Sequence, residues 1–577
     1  MNNQFSSLFQ NKTRVYAILV LIPFCLYFKS LFFDFSPMDD QWMIMKNSDI
    51  LSDWKNIKTF FTKPLSGLYY RPLFSLSIML DFHIGKASPF IYHFSNLIYH
   101  LISVVLFFKL LLHLKVTEQT SFLLALIFSV HPAVLHAVAW IPGRNDILLA
   151  IFVLSSSLYL IKFLTGHKKI HLIFHFLFFI CALLTKENAI VLPAVFLLFI
   201  YYFKQPKKAY VLCFIVWLIT LAGWYLLRSL AVKSSLSLGA DVLISLKNFI
   251  MGLLLYIGKS IMPIQQSVFP TLKNSSILYG IIALAIISLA VFKIGLKNKA
   301  LAVLGLAIFF SSILIPVWYG ATGGSGEHYE QRIYLPLIGI LLFISQLNFN
   351  QNSPLFTYSA CLIMLVFSLK TFFRMNVYKS EISFIDAGLK EAPDFYFFQA
   401  VKGDKLLEQQ NYVASIPYYD AAIKMQPRRH QLYSSRGYAY VELGKKTESI
   451  ADFTKAIEIE KNIPDLYLNR CLTYKKFGGY EEATKDLAYL KKNSPQTIPE
   501  GLEKDLFDQL YNSLQEKINN QIVSYPNNAL LYVRRAKLLL SVNKPSEALQ
   551  DLKHACEIEP NNSVYKTYYE QLSSRMN

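Results

Sequence analysis

Two adjacent carboxylates, Asp39 and Asp40, lie in the run Ser36-Pro37-Met38-Asp39-Asp40-Gln41-Trp42, just past the first long apolar stretch of the chain. Paired acids at a membrane edge suit general-base work, because the neighbouring negative charge and partial burial raise the proton affinity of one of them. A solvated loop or a helix cap would use the same pair equally well. Asp146 closes the turn Ile141-Pro142-Gly143-Arg144-Asn145-Asp146 between two apolar runs, where an ionisable group is costly unless it is used or paired. Capping the next helix is its structural alternative. The next such turn carries Thr185-Lys186-Glu187-Asn188, for which a structural ion pair accounts as well as a site does. A fourth cluster, Glu327-His328-Tyr329-Glu330-Gln331-Arg332-Ile333-Tyr334-Leu335-Pro336, opens a late helix after a glycine-rich loop. The planar fork of Arg332 matches a phosphate, although interfacial arginines also anchor helices without any chemistry.

All four clusters fall on one predicted face of the membrane. Acids and bases gathered there from separate loops describe one site at headgroup level, suited to a lipid phosphate. Arg71, Arg144, Lys186 and Arg332 would neutralise a phosphate leaving group while an aspartate takes the proton of an incoming hydroxyl. No metal or cofactor is required by such a scheme. His83, His93, His100, His131 and His136 crowd the same loops, but their spacing fits no zinc motif and hydrogen bonding is their expected role.

The elements that must position these groups follow from composition. The chain has 577 residues, of which 54% are hydrophobic and 16% charged, too apolar for an ordinary soluble protein. Runs of spanning length recur from Val15 to Leu369, and the stretch from Arg374 to Asn577 is polar, which predicts a membrane domain over 1–373 and a second domain over 374–577. The first run, Val15 to Phe33, follows Lys12 and Arg14 and reads as a retained helix with a cytoplasmic N-terminus. A large external loop, 34–88, comes next, with Pro72 to Ile84 as an interfacial helix. One segment decides the topology. If Phe249 to Met262 lies in the interface, the loops bearing Lys162, Lys168 and Lys169, Lys204, Lys207 and Lys208, and Lys293, Lys297 and Lys299 are all cytoplasmic; this arrangement has about eleven crossings and puts the C-terminal domain outside. The net charge of +19 is then mostly a matter of orientation and argues against nucleic acid as a partner. The six cysteines form no Cys-x-x-Cys pair and no disulfide framework.

The second domain repeats itself at 34 residues: Tyr433, Arg436, Tyr440 and Phe453 align with Tyr467, Arg470, Tyr474 and Leu487. This is the tetratricopeptide period. Repeats are expected near 395–428, 429–462, 463–496 and 529–562, with 497–528 helical in pattern but off the consensus. Stacked helix pairs offer a concave face for an extended peptide or partner protein, or simply brace the complex.

Beyond these patterns, an ordered series of motifs resembles a known family. Asp39-Asp40, Trp54, Tyr70-Arg71-Pro72-Leu73, His93-Phe94-Ser95-Asn96-Leu97-Ile98-Tyr99-His100, Val130-His131-Pro132, Ala137-Val138-Ala139-Trp140, Gly143-Arg144-Asn145-Asp146, Leu184-Thr185-Lys186-Glu187-Asn188 and Arg332-Ile333-Tyr334-Leu335-Pro336 look like those of the transmembrane and tetratricopeptide-repeat-containing O-mannosyltransferases and their bacterial relatives. The resemblance implies an all-α, GT-C type helical bundle followed by a repeat solenoid, with a polyprenyl-phosphate sugar as donor. It implies Asp39 or Asp40 as the first-loop acid, Asp146 as the second-loop acid, and Arg144 and Arg332 as phosphate contacts. Arg71, His93, His131, Lys186, Glu187 and Tyr334 belong to the substrate-binding set expected around them. The acceptor is a protein or glycan, which the repeats would help to recognise. Gly-Arg-Asn-Asp replaces the small residue usual before the second acid, and the repeat array is short; mannose and cadherin-like acceptors belong to animal members. A membrane-anchored repeat scaffold without catalysis is the rival from another class, and a lipid-linked oligosaccharide transporter ranks below it because the strong charges sit at helix ends.

Overall fold

A computed structural model describes residues 9–64, 69–232, 242–322, 328–350 and 353–576. Glu327 and the glycine-rich loop before it lie outside the described residues. The described chain is helical, with no strand and one isolated bridge, Leu296 with Leu347.

Two compact units follow one another along the chain, 1–393 and 394–577. The break comes after Pro393, since the helix Glu381–Glu391 is tied back to the first unit: Arg374 pairs with Glu391, and Glu391 also accepts from the Val268 amide.

Among the described residues of the first unit, seven helices are long and apolar enough to cross a membrane, or eight if the bent pair Glu118–Val130 and Pro132–Ala139 is one span. Shorter apolar helices run over Pro72–Gly85, Lys169–Thr185, Glu187–Tyr202 and Leu278–Ile294. Leu243–Ile261, which contains most of the segment Phe249 to Met262 that the sequence places in the interface, is long and apolar enough to cross as well. Successive helices run between two ends of the bundle. Arg144–Gly166 leads away from the clustered ionic turns to His167 and Lys168, and Lys169–Thr185 returns to Lys186. The helix Leu192–Tyr202 then runs to Lys204, and Lys207–Ala231 brings Arg228 back. Two glycines let a pair of these helices meet backbone to backbone. A Cβ on Gly305 would stand 2.7 Å from the Gly339 carbonyl oxygen, and one on Gly339 would stand 2.5 Å from that of Gly305. The helices Lys299–Thr322 and Tyr334–Ser345 are thereby locked together beneath Arg332.

Helix pairs make up the second unit: Tyr396–Glu408 with Tyr412–Met425, His430–Glu442 with Lys446–Ile459, Pro464–Lys476 with Tyr480–Asn493, and Ala529–Ser541 with Pro545–Ile558. Each pair closes over small buried residues, Ala422, Ala456, Ala483 and Ala555 among them. An arginine on the first helix of three pairs clasps an aspartate on the second: Arg436 with Asp452, Arg470 with Asp486, and Arg535 with Asp551. Every one of these arginines also reaches back to the preceding helix, at Asp420, Thr454 and Asn519 respectively. Asn519 belongs to the off-consensus segment, which is a single unbroken helix, Leu502–Ser524. It fills the place of a second helix without having a first.

Candidate functional site

The ionic turns meet around a cavity of about 340 Å³ at one end of the bundle. Asp39, Arg71, Lys186, Glu187 and Arg332 line it, together with Tyr69, Trp140, Asn145, Asn188, Arg228, Tyr319, Tyr329 and Gln331. Four cations therefore face two carboxylates, a balance that favours an anionic ligand.

Each wall has a local reason for its place. Asp39 ends a turn that opens a short helical segment, its carbonyl accepting from the Met43 amide at 2.8 Å. Behind it, Asp40 is buried and accepts from the Ser36 amide at 2.8 Å, while Ser36 Oγ accepts from Trp140 Nε1 at 3.1 Å. Trp140 precedes a tight turn at Gly143, where a Cβ would lie 2.7 Å from the Ala137 Cα and 2.8 Å from the His136 carbonyl oxygen. Only a glycine lets the chain turn there. Lys186 and Glu187 sit between two helices, and each is engaged: Lys186 Nζ is 2.6 Å from Asp146 Oδ1 and donates to Asn145 Oδ1 at 3.3 Å. Glu187 receives Arg71 Nε and the Tyr70 amide, both at 3.1 Å. Arg332 lies over the Tyr329 ring, donates to the Pro316 carbonyl at 3.5 Å and sits on a 3-10 turn, Glu330–Ile333.

Burial shapes the charges. It drives the Asp40 carboxyl up to about 7, the Ser36 amide opposing and the Asp39 charge adding to the rise. It pulls the Lys186 ammonium down to about 8 against the attraction of Asp146. A carboxyl raised in this way binds more protons folded than unfolded between the ordinary value of 3.8 and about 7. Its contribution to stability is complete below the lower value and lost as pH rises through the upper one. Between about pH 4 and pH 7 this contribution is therefore lost, and Asp40→Asn, which can still accept from Ser36 but does not ionise, should gain in thermal midpoint relative to the wild type across that window in a melting series.

Several expected site residues are elsewhere. Arg144 is fully buried and its guanidinium is spent: Nε on Asn96 Oδ1 at 2.7 Å, one terminal nitrogen on the Ser77 carbonyl at 3.1 Å, and the other on the Tyr92 carbonyl at 2.9 Å and Asp81 Oδ2 at 2.5 Å. It joins the helices like a girder and does not border the cavity. Asp146 stands behind Lys186, off the cavity lining. Tyr334 points into the bundle, its hydroxyl bonded to His100 Nδ1 at 2.7 Å and to Ser103. His93 is buried beside Phe33, and His131 accepts from the Ala133 amide at 3.1 Å with its ring against Phe367. None of these side chains borders the cavity.

Arg228 was missed. It closes the apolar run Tyr210 to Leu227, and a lone cation at the end of such a run was the signal that could have found it. Asp81, the partner that claims Arg144, carried the same signal inside the apolar stretch Pro72 to Ile84.

Comparison with known proteins adds to this picture. A tetratricopeptide-repeat family model matches residues 430–463. Mouse "Protein O-mannosyl-transferase TMTC3" is 31% identical over 157 residues, which are 26% of this chain and 17% of that protein. Mouse "Protein O-mannosyl-transferase TMTC2" is 35% identical over 145 residues, covering 24% and 17%. The chain thus spans about a sixth of the length of these curated relatives. Among solved structures, the tetratricopeptide-repeat protein YrrB is 14% identical, covering 32% of this chain and 97% of its own with a TM-score of 0.21, too low to carry any argument. Taken with the ordered motifs of the loops, the curated matches show that this chain is similar to the transmembrane and tetratricopeptide-repeat O-mannosyltransferases.

Proposed function

We propose that the chain is a membrane glycosyltransferase of GT-C type that moves a sugar from a polyprenyl phosphate to a hydroxyl, on serine or threonine of a protein acceptor. The observation that carries this reading is the half-buried Asp39 facing Arg71, Lys186, Arg228 and Arg332 across one cavity at the end of a membrane bundle. The similarity to proteins named O-mannosyl-transferases supports the reaction class and makes mannose the first sugar to test.

In this scheme Asp39 takes the acceptor hydroxyl proton as the oxygen attacks the anomeric carbon. The bond from that carbon to the phosphate oxygen breaks with inversion, and the leaving polyprenyl phosphate gains a negative charge. Arg228 and Arg332 meet that charge, and Arg71 and Lys186, already paired, hold the wall in place. The cationic side chains supply the neutralisation, with no cofactor entering the scheme.

An external or luminal site and a cytoplasmic N-terminus fit the same picture. Lysine-bearing loops lie at the bundle end opposite the cavity. The helix Val242–Ile261 favours the interface over a crossing, because its contacts follow the cavity end: Phe249 against Trp318, a Cβ on Gly252 meeting His328 and Val317, and Lys259 on Glu330. The repeats, on this topology, meet the protein acceptor outside.

Purified chain in nanodiscs, given polyprenyl phosphate bearing labelled mannose and a serine/threonine-rich acceptor peptide, should release polyprenyl phosphate and label the peptide. Failure with every polyprenyl-phosphate sugar offered, under conditions where the chain is folded, removes the enzymatic reading. Arg228→Ala should weaken binding of a short-chain polyprenyl phosphate about tenfold, the scale of one charge-assisted hydrogen bond, as measured by titration.

A further inference from the structure

The segment 262–277 follows the helix Val242–Ile261 and contributes no cavity-lining residue, yet two of its successive backbone amides are held by carboxylates from distant parts of the chain. The Ser267 amide donates to Glu330 Oε1 at 3.2 Å, and the Val268 amide donates to Glu391 Oε2 at 3.0 Å. Glu330 is buried, paired with Lys259 Nζ at 2.7 Å, and immediately precedes Gln331 and Arg332 of the cavity wall. Gln266 adds to the same grip, its amide nitrogen 2.7 Å from the Pro132 carbonyl oxygen and 3.5 Å from Glu330 Oε2. Phe269 meets Tyr329 edge to face at 5.4 Å, and Tyr329 lines the cavity. On its other side, Glu391 is clasped by Arg374 and ends the helix after which the chain runs through Pro393 into the repeats.

The connection from 375 to 391 touches the opposite wall too. The Asp34 amide, at the start of the loop that bears Asp39, donates to the Lys379 carbonyl at 3.1 Å, and Tyr378 packs against His136 at 5.6 Å. One connector thus holds both the acid loop and, through two neighbouring amides, the arginine wall.

We propose that Glu391 and Glu330 are positioning residues, joined through the amides of Val268 and Ser267, that set the place of Arg332 from the position of the helix preceding the repeats. The inference rests on the reading of the cavity as a polyprenyl-phosphate site. Each amide lies in a rigid peptide plane and the two planes are consecutive, so a shift of Glu391 that drags Val268 turns the peptide whose neighbour anchors Glu330. Displacement of the connector is in this way felt two residues from Arg332.

Removing Glu330 leaves Lys259 buried without a counter-charge and endangers the fold, so the test works from Glu391, whose side chain is partly exposed. With full-length chain in nanodiscs, Glu391→Ala, which removes the acceptor of the Val268 amide, should weaken binding of short-chain polyprenyl phosphate by about fivefold, within the range that packed networks transmit. Arg332→Ala should weaken it as well, and the double variant should bind no worse than Arg332→Ala alone, because the effect of Glu391 passes through Arg332. Hydrogen exchange should rise at 263–276 and 329–333 in Glu391→Ala while the rest of the chain keeps its protection. Unchanged affinity in folded Glu391→Ala, or losses that multiply in the double variant, overturn the proposal. If the wild type binds no polyprenyl phosphate, the reading of the cavity fails separately. The relay is then judged by exchange alone, an unaltered 329–333 segment overturning it and increased exchange there supporting it.

Discussion

Asparagine in place of Asp39 is expected to cut sugar transfer by about 10²–10⁴-fold, the usual worth of a positioned general base, with binding of polyprenyl phosphate nearly unchanged. The two adjacent acids are not equivalent. Asp39 borders the cavity, whereas Asp40 is enclosed with one oxygen on the Ser36 amide and through Ser36 steadies Trp140. Asp40→Asn preserves shape and acceptor, so it should keep most of the activity and act mainly on the way stability changes with pH. Single-turnover rates with labelled donor separate the two variants. Equal losses in both would mean that the acids work as a unit, and full activity in Asp39→Asn would take it out of the chemistry.

The second large effect is structural. Arg144→Met leaves Asp81 buried with its Oδ1 on Ser95 and its Oδ2 without a counter-charge, which costs about 3–5 kcal/mol for a broken buried pair. The carbonyls of Ser77 and Tyr92 and the side-chain oxygen of Asn96 lose their donor at the same time. A sharp fall in thermal midpoint and in folded yield is expected, partly restored when Asp81→Asn removes the stranded charge. A phosphate contact would behave in the opposite way. It would lower affinity for the lipid phosphate in a chain that melts like the wild type.

Arg144 also shows what the sequence can and cannot display. Its charge, its place at the edge of an apolar run and its motif are those of a ligand contact, and Arg71, Lys186 and Arg332 share every one of these properties while bordering the cavity. The difference lies in complete enclosure: Asp81, 63 positions earlier in the chain, and the oxygens of Ser77, Tyr92 and Asn96 take every nitrogen of the Arg144 guanidinium, and only tertiary packing brings them near. Tyr334, His93 and His131 mislead for the same reason, since a polar group in an apolar helix signals importance without saying whether it faces a cavity or the bundle. Arg228 is the converse case, a lone cation with no motif around it. The helical class and the repeats were legible because periodicity is local. The helix Leu502–Ser524 was legible as helix and as off the consensus, while its single unbroken run in place of a helix pair shows only in the structure.

The helix that carries Arg228 is left largely uncovered by the rest of the protein along its apolar length. Acyl chains, more than protein, are therefore its surroundings, and its tilt follows the thickness of the hydrocarbon layer. On the proposed function, how deeply this guanidinium dips toward a lipid headgroup is set jointly by the chain and by the membrane that houses it, so the same polypeptide would hold a lipid phosphate differently in thin and thick bilayers.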